Sequence, residues 1–110
     1  MGCLDDYRQA LRDLIERHAS YRPAHGNIDS ECVIDTTRDH YELIRIGWNG
    51  PERVHGVVFH IDILDGKIWI QYDGTSPGAA VELVEAGVPA EDIVLGFRPP
   101  HLRKYSGFAA

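Results

Sequence analysis

Asp65-Gly66 stands between two runs of alternating isoleucine, FHIDIL before it and KIWIQYD after it. No other feature of the chain restricts its fold as much. Asp-Gly between alternating apolar runs is a two-residue hairpin signal. That turn sets Leu64 against Lys67, and the pleat then pairs Ile63 with Ile68, Ile61 with Ile70 and Phe59 with Tyr72 on one side. The other side receives Asp62 against Trp69 and His60 against Gln71. A one-residue slip mixes the two sets, so the register is strongly specified. One face of the hairpin is apolar and needs a cover.

The start of the chain supplies it. Leu4, Tyr7, Leu11, Leu14, Ile15 and His18/Ala19 recur at helical spacing, with charged residues between them. Asp5 and Asp6 suit the positive end of the helix dipole. YRPAHGN stops the helix, because Arg22 precedes a proline and Gly26 follows. Strand patterns then take over at residues 31–37, 40–48, 52–62 and 67–73. Their connections are short, so an antiparallel meander is expected. In DGTSPGAAVELVEAGVP, Ser76 is the expected N-cap, Pro77 the first helical position and Gly87 the stop. Ala80, Val81 and Val84 would face inward, with Leu83 beside them and Glu82 and Glu85 outward. PAEDIVLGF reads as a short second helix or single turn packed by Ile93, Val94 and Leu95. The end, RPPHLRKYSGFAA, reads as an irregular arm. The expectation is an α+β fold: an antiparallel β-meander of about four strands, an N-terminal amphipathic helix on one face, and short C-terminal helices.

At 110 residues the chain forms one domain, 1–110, that buries about 65% of its unfolded surface. Its longest apolar runs fall far short of the roughly 20 residues of a membrane span. Asp6 occupies the place where a myristoylation motif needs Ser or Thr, and no apolar region precedes Cys3. Cys3 and Cys32 are too few for a disulfide framework. A soluble cytoplasmic protein is expected. The net charge of −6 argues against a surface that blankets a phosphate backbone. Residues 93–110, however, hold no acid, and Arg98, Arg103 and Lys104 give that arm a charge of +3. Those three are candidates for contact with nucleic acid or an acidic partner, against the ordinary alternative of a solvated end.

His60 and Asp62, two apart on a strand, point the same way, as two metal ligands or an oriented acid/base pair would. Asp35, Asp39, His40 and His55 lie on neighbouring strands or turns as sources of a third ligand. Yet no zinc-protease, Walker, dinucleotide or nucleophile-elbow pattern is present. Cys32 sits in an apolar run, CVI, expected to bury an inert thiol. No catalytic residue, metal or cofactor is therefore assigned, and the chain reads as a non-enzyme. Tyr41, Arg45, His60, Asp62, Trp69 and Gln71 are expected to cluster on the uncovered sheet face. This aromatic-polar mixture suits partner recognition, unless the C-terminal arm folds over Trp69. A homodimer is a further option for that face.

The stretches DHYELIRIGWNG, RVHGVVFHIDILDGKIWIQYDGT and ELVEAGVPAEDIVLGFRPPHLRKYSGFA closely resemble the XisI family, the excision controlling factors of the cyanobacterial fdxN element. The resemblance runs from about Leu4 to the last residues, on long ungapped motifs. It implies an accessory factor that, with a companion XisH protein, controls a site-specific recombinase excising a DNA element during heterocyst differentiation. No family active site carries over. After DGT the family tends to an acidic residue where this chain has Ser76-Pro77, which still caps and starts a helix. The expected function is thus a non-enzymatic regulatory factor with an XisH-like partner. Direct DNA contact through the basic arm, or a metal-dependent hydrolase centred on His60 and Asp62, are the alternatives.

Overall fold

The Asp65-Gly66 turn carries positive φ at both central residues, 52° and 76°, the combination that follows the right-handed twist of the strands it joins. It links β3 (Glu52–Leu64) to β4 (Lys67–Asp73) in a computed structural model that describes residues 4–21, 26–75, 78–104 and 106–109. Upstream lie α1 (Leu4–Ala19), β1 (Asn27–Asp35) and β2 (His40–Asn49). Downstream come α2 (Ala79–Glu85), a 3₁₀ turn at Ala90–Asp92, β5 (Ile93–Leu95) and α3 (Pro100–Arg103). The strands form one sheet in the order β1-β2-β3-β4-β5. The fold is α+β, as the sequence implies. The expected start of β2, β3 and β4 each agrees with the structure, while β1 begins earlier, at Asn27.

Pairing from the hairpin turn follows expectation as far as Ile61↔Ile70. Beyond it His60 stands opposite Tyr72 and Phe59 opposite Asp73, correcting the expected His60–Gln71 and Phe59–Tyr72 pairs. Gln71 is the extra residue of a bulge, which lets two residues of β4 answer one of β3. The shift has a use. It brings Asp73 level with the start of α2, where the Ala79 N–H donates to its Oδ2 at 2.6 Å while Thr75 N–H and Oγ1–H donate to Oδ1 at 2.9 and 2.5 Å. The expected cap, Ser76, and the expected first residue, Pro77, lie outside the described residues; Asp73 caps from a distance.

Of the segment expected to form a short second helix or a single turn, Ala90–Asp92 is a 3₁₀ turn, but the residues expected to pack it form a strand. Ile93, Val94 and Leu95 pair in parallel with Ile68, Trp69 and Ile70. α2 and the 3₁₀ turn provide the crossover that a parallel neighbour requires. β-Branched residues favour the pleated surface they find there. The inward face of α2 also differs from expectation. Ala79, Ala80 and Leu83 are buried and Val81 and Val84 are exposed, while Glu82 turns inward to join α1.

α1 lays Tyr7, Leu11, Leu14, Ile15 and His18 against Tyr41, Leu43, Phe59, Ile61, Ile63, Ile68 and Ile70, and α2 adds Ala79, Ala80 and Leu83 to the same core. Leu4, at the head of the stripe, stays half out. The Tyr7 hydroxyl donates to Asp92, tying the helix to the turn before β5. Among the described residues no helix is long and apolar enough to cross a membrane. Cys32, expected to be buried, is exposed on β1 at the sheet edge. What burial it has, with Glu16 nearby, pushes the thiol pKa up and keeps it protonated.

Candidate functional site

The uncovered face of the sheet holds a cluster built by the strand register. His60 and Asp62 share a face of β3 through the two-residue period. His40, first residue of β2, stands directly opposite Asp62. Counted back from the Asn49–Glu52 turn, an unbroken ladder would set His40 against Ile61 and Tyr41 against His60. An extra residue, Val58, interrupts that ladder between Leu43↔Phe59 and Ile44↔Val57, and it moves His40 onto Asp62.

The Oδ1 atom of Asp62 lies 2.7 Å from His40 Nδ1 and 3.0 Å from His60 Nε2, and the Gln71 amide donates to Oδ2 at 3.3 Å. The carboxylate is 9% exposed, His60 35% and His40 46%, so a buried acceptor carries two imidazoles that reach toward solvent. The imidazole rings are 6.5 Å apart, edge to face. The hydrogen bond to Asp62 raises the pKa of His40 against the opposing effect of burial. His40, His60 and Asp62 each present one ligand atom, all within 4.8 Å of one another.

Four of the six expected face residues meet here: His60, Asp62 and Gln71 in the cluster, and Trp69 opposite Asp62. Tyr41 and Arg45 do not. The Val58 bulge places Tyr41 opposite Ile61, buried under α1 with its hydroxyl donating to Asp39 at 3.1 Å. Arg45 shares that side of β2 two pleats on and lines a surface hollow with His18 and Tyr21. Of the sources named for a third ligand, only His40 arrives. Asp39 is held by Arg8, whose Nε and Nη2 donate at 2.9 and 3.1 Å. Asp35 accepts the Thr37 and Arg38 N–H groups in its own turn, and His55 faces Ile46 further up the strand. No local signal in the sequence singles out His40. Only the count of residues in β3 against β2 does.

The C-terminal arm covers the neighbouring part of this face. The Arg103 guanidinium lies 5.2 Å from the Trp69 ring centre, and its Nε–H donates to the carbonyls of Arg98 and Leu95 at 3.1 and 3.3 Å. Val94, opposite Trp69 and turned away from the main core, is 2% exposed. The arm ends by pairing Ala109 with β5, its N–H donating to the Ile93 carbonyl at 2.8 Å. Gly96 allows this close passage. A Cβ there would stand 2.8 Å from Gln71 Oε1 and 3.1 Å from the Ile70 carbonyl. Of the three arm cations, Arg103 is thus spent on the fold, Arg98 stays exposed over Phe97 at 5.7 Å, and Lys104 is exposed.

The rest of the uncovered face mixes apolar residues with Glu42, His55 and Arg53, which stand opposite His60, Ile46 and Trp48. Ile44, Ile46 and Trp48 follow His40 along β2 on its side of the pleat, with Val57 opposite Ile44. Trp48 and Val57 are 50% and 39% exposed.

Comparison with known proteins agrees with this architecture. Residues 1–110 match the family model described as XisI protein. Among solved structures, a XisI-like protein from Anabaena variabilis ATCC 29413 is 38% identical, with a TM-score of 0.90 over 98% of this chain and 99% of that one. The fdxN element excision controlling factor XisI from the same organism is 33% identical, with a TM-score of 0.80 over 96% of each chain. No curated protein matches the chain. With the family model spanning every residue and two such structures superposing over nearly the whole length, this chain belongs to the XisI family.

Proposed function

We propose that the chain is a non-enzymatic control factor for excision of a DNA element, working in the cytoplasm by binding a protein partner of the XisH type. The whole-length likeness to an excision controlling factor carries this reading. The form of the sheet face supports it. Ile44, Ile46, Trp48 and Val57 make an apolar surface bordered by charged residues, Glu31 opposite Ile44 and Arg53 opposite Trp48. Aromatic and branched apolar groups within a charged rim suit a protein partner. The face is open rather than a water-excluding cleft of the kind that strengthens electrostatic catalysis.

Co-expression with an XisH-like protein tests the proposal. Wild type should co-purify with it, and Val57→Glu should abolish the association while leaving the chain folded. Failure of the wild-type pair to associate, or association unaffected by Val57→Glu and Trp48→Ala together, counts against it. A Val57→Glu-sensitive homodimer would assign the face to a second copy instead. Direct DNA contact is weakened by the placement of Arg103. A hydrolase reading gains His40 as a third group beside His60 and Asp62, and it requires turnover dependent on a divalent ion and lost in Asp62→Asn.

A further inference from the structure

We propose that His40 Nδ1, His60 Nε2 and Asp62 Oδ1 form a three-ligand site for a divalent transition cation of the zinc class. It is a binding site only, and stands whether or not the regulatory reading holds.

The geometry carries the proposal. Tetrahedral zinc with ligands at roughly 2.0–2.2 Å separates its donors by about 3.3 Å. Here the carboxylate oxygen lies 2.7 and 3.0 Å from the two ring nitrogens. The three ligand atoms all lie within 4.8 Å of one another, so side-chain movements of about 1 Å bring them to the separations an ion needs. The backbone under them is a paired ladder, so the three donors are held on rigid strands rather than on loops.

The surroundings match what such a site requires. Gln71 donates to Oδ2, leaving Oδ1 to the imidazoles, which is the supporting contact that ligating carboxylates usually have. Gln71 is itself the bulged residue of β4, and the missing Cβ of Gly96 leaves its amide the room it occupies. His40 and His60 reach solvent, which gives an ion a path in and leaves a fourth position open to water or to a side chain of a bound partner. Two imidazoles with one carboxylate select zinc, cobalt, nickel or copper over magnesium and calcium.

The alternative is a knot of hydrogen bonds with no affinity for ions. Untagged full-length protein titrated with Co²⁺ separates the two. One equivalent should produce visible d–d absorption that Zn²⁺ displaces, and Zn²⁺ should raise the unfolding temperature while Mg²⁺ and Ca²⁺ do not. His40→Ala and Asp62→Asn should each weaken Co²⁺ binding more than tenfold, and Gln71→Leu by about tenfold. His101→Ala, on the exposed arm, should leave it unchanged. Absence of Co²⁺ absorption and of a Zn²⁺ shift in the wild type overturns the proposal. So does equal binding by His40→Ala, which marks stray surface histidine only. His40 is half exposed, so that variant decides the matter even if Asp62→Asn fails to fold.

Discussion

Asp39 shows how much one side chain can carry. It sits at φ 56°, a left-handed conformation that Asp and Asn tolerate better than most residues. There it accepts two N–H groups from Arg8 on α1 and the hydroxyl of Tyr41 on β2, and its own carbonyl accepts the Ile63 N–H at 3.0 Å. The Arg8 hydrogen bond, opposed by burial and helped by Tyr41, holds the Asp39 carboxyl below the usual carboxylate range. Tyr41 is pushed up to about 12, by burial and then by Asp39. A depressed carboxyl stabilises the fold above its unfolded pKa and loses that contribution as pH falls through the folded value. Asp39→Asn should therefore be less stable than wild type near neutral pH, and the gap should narrow below about pH 4. Urea midpoints measured across pH check this. Tyr41→Phe should cost about 1 kcal/mol, the usual worth of one hydrogen bond, at neutral pH.

At the scale of elements, two bulges and two close approaches decide where side chains arrive. Val58 brings His40 onto Asp62, and Gln71 brings Asp73 under α2. Asp73→Ala should cost about 1 kcal/mol through loss of the cap, read from the urea midpoint. β1 packs on β2 so tightly at Gly47 that an added Cβ would lie 2.1 Å from the Asn27 carbonyl oxygen and 2.6 Å from Ile28 Cα. Gly47→Ala should cost about 1–3 kcal/mol. Its hydrogen exchange should quicken at residues 27–30 and stay slow in the β3-β4 hairpin. The hairpin itself was legible because Asp-Gly and the isoleucine alternation are local signals. β5 was not: Ile93-Val94-Leu95 is too short for periodicity to separate strand from helix, and its partner lies beyond α2. The inward turn of Glu82 was equally hidden. Its carboxylate meets Arg17 and His18, from a helix more than sixty residues away, at 2.8 and 2.7 Å. Burial pushes the Glu82 pKa up, and the hydrogen bonds from His18 and Arg17 outweigh it and leave the value below normal.

Across the whole molecule the sheet divides the labour. The face under α1 and α2 holds the core, and truncation there should be costly: Leu14→Ala by about 2–5 kcal/mol, measured by denaturant unfolding. The opposite face carries the histidine-aspartate cluster and the apolar surface. Val57→Glu should change stability by no more than about 0.5 kcal/mol while removing partner binding. A loss of several kcal/mol there would mean that the face belongs to the core.

By itself the sequence determined what local chemistry can determine: the amphipathic helix, four strands, the hairpin turn and its isoleucine face, and the family through its long motifs. The third member of the cluster, the burial of Tyr41, the fifth strand and the seat of Arg103 were decided by tertiary structure. Each depends on an inserted residue that shifts a ladder, or on a contact between segments distant in the chain. Neither leaves a periodic trace for a one-dimensional reading to find.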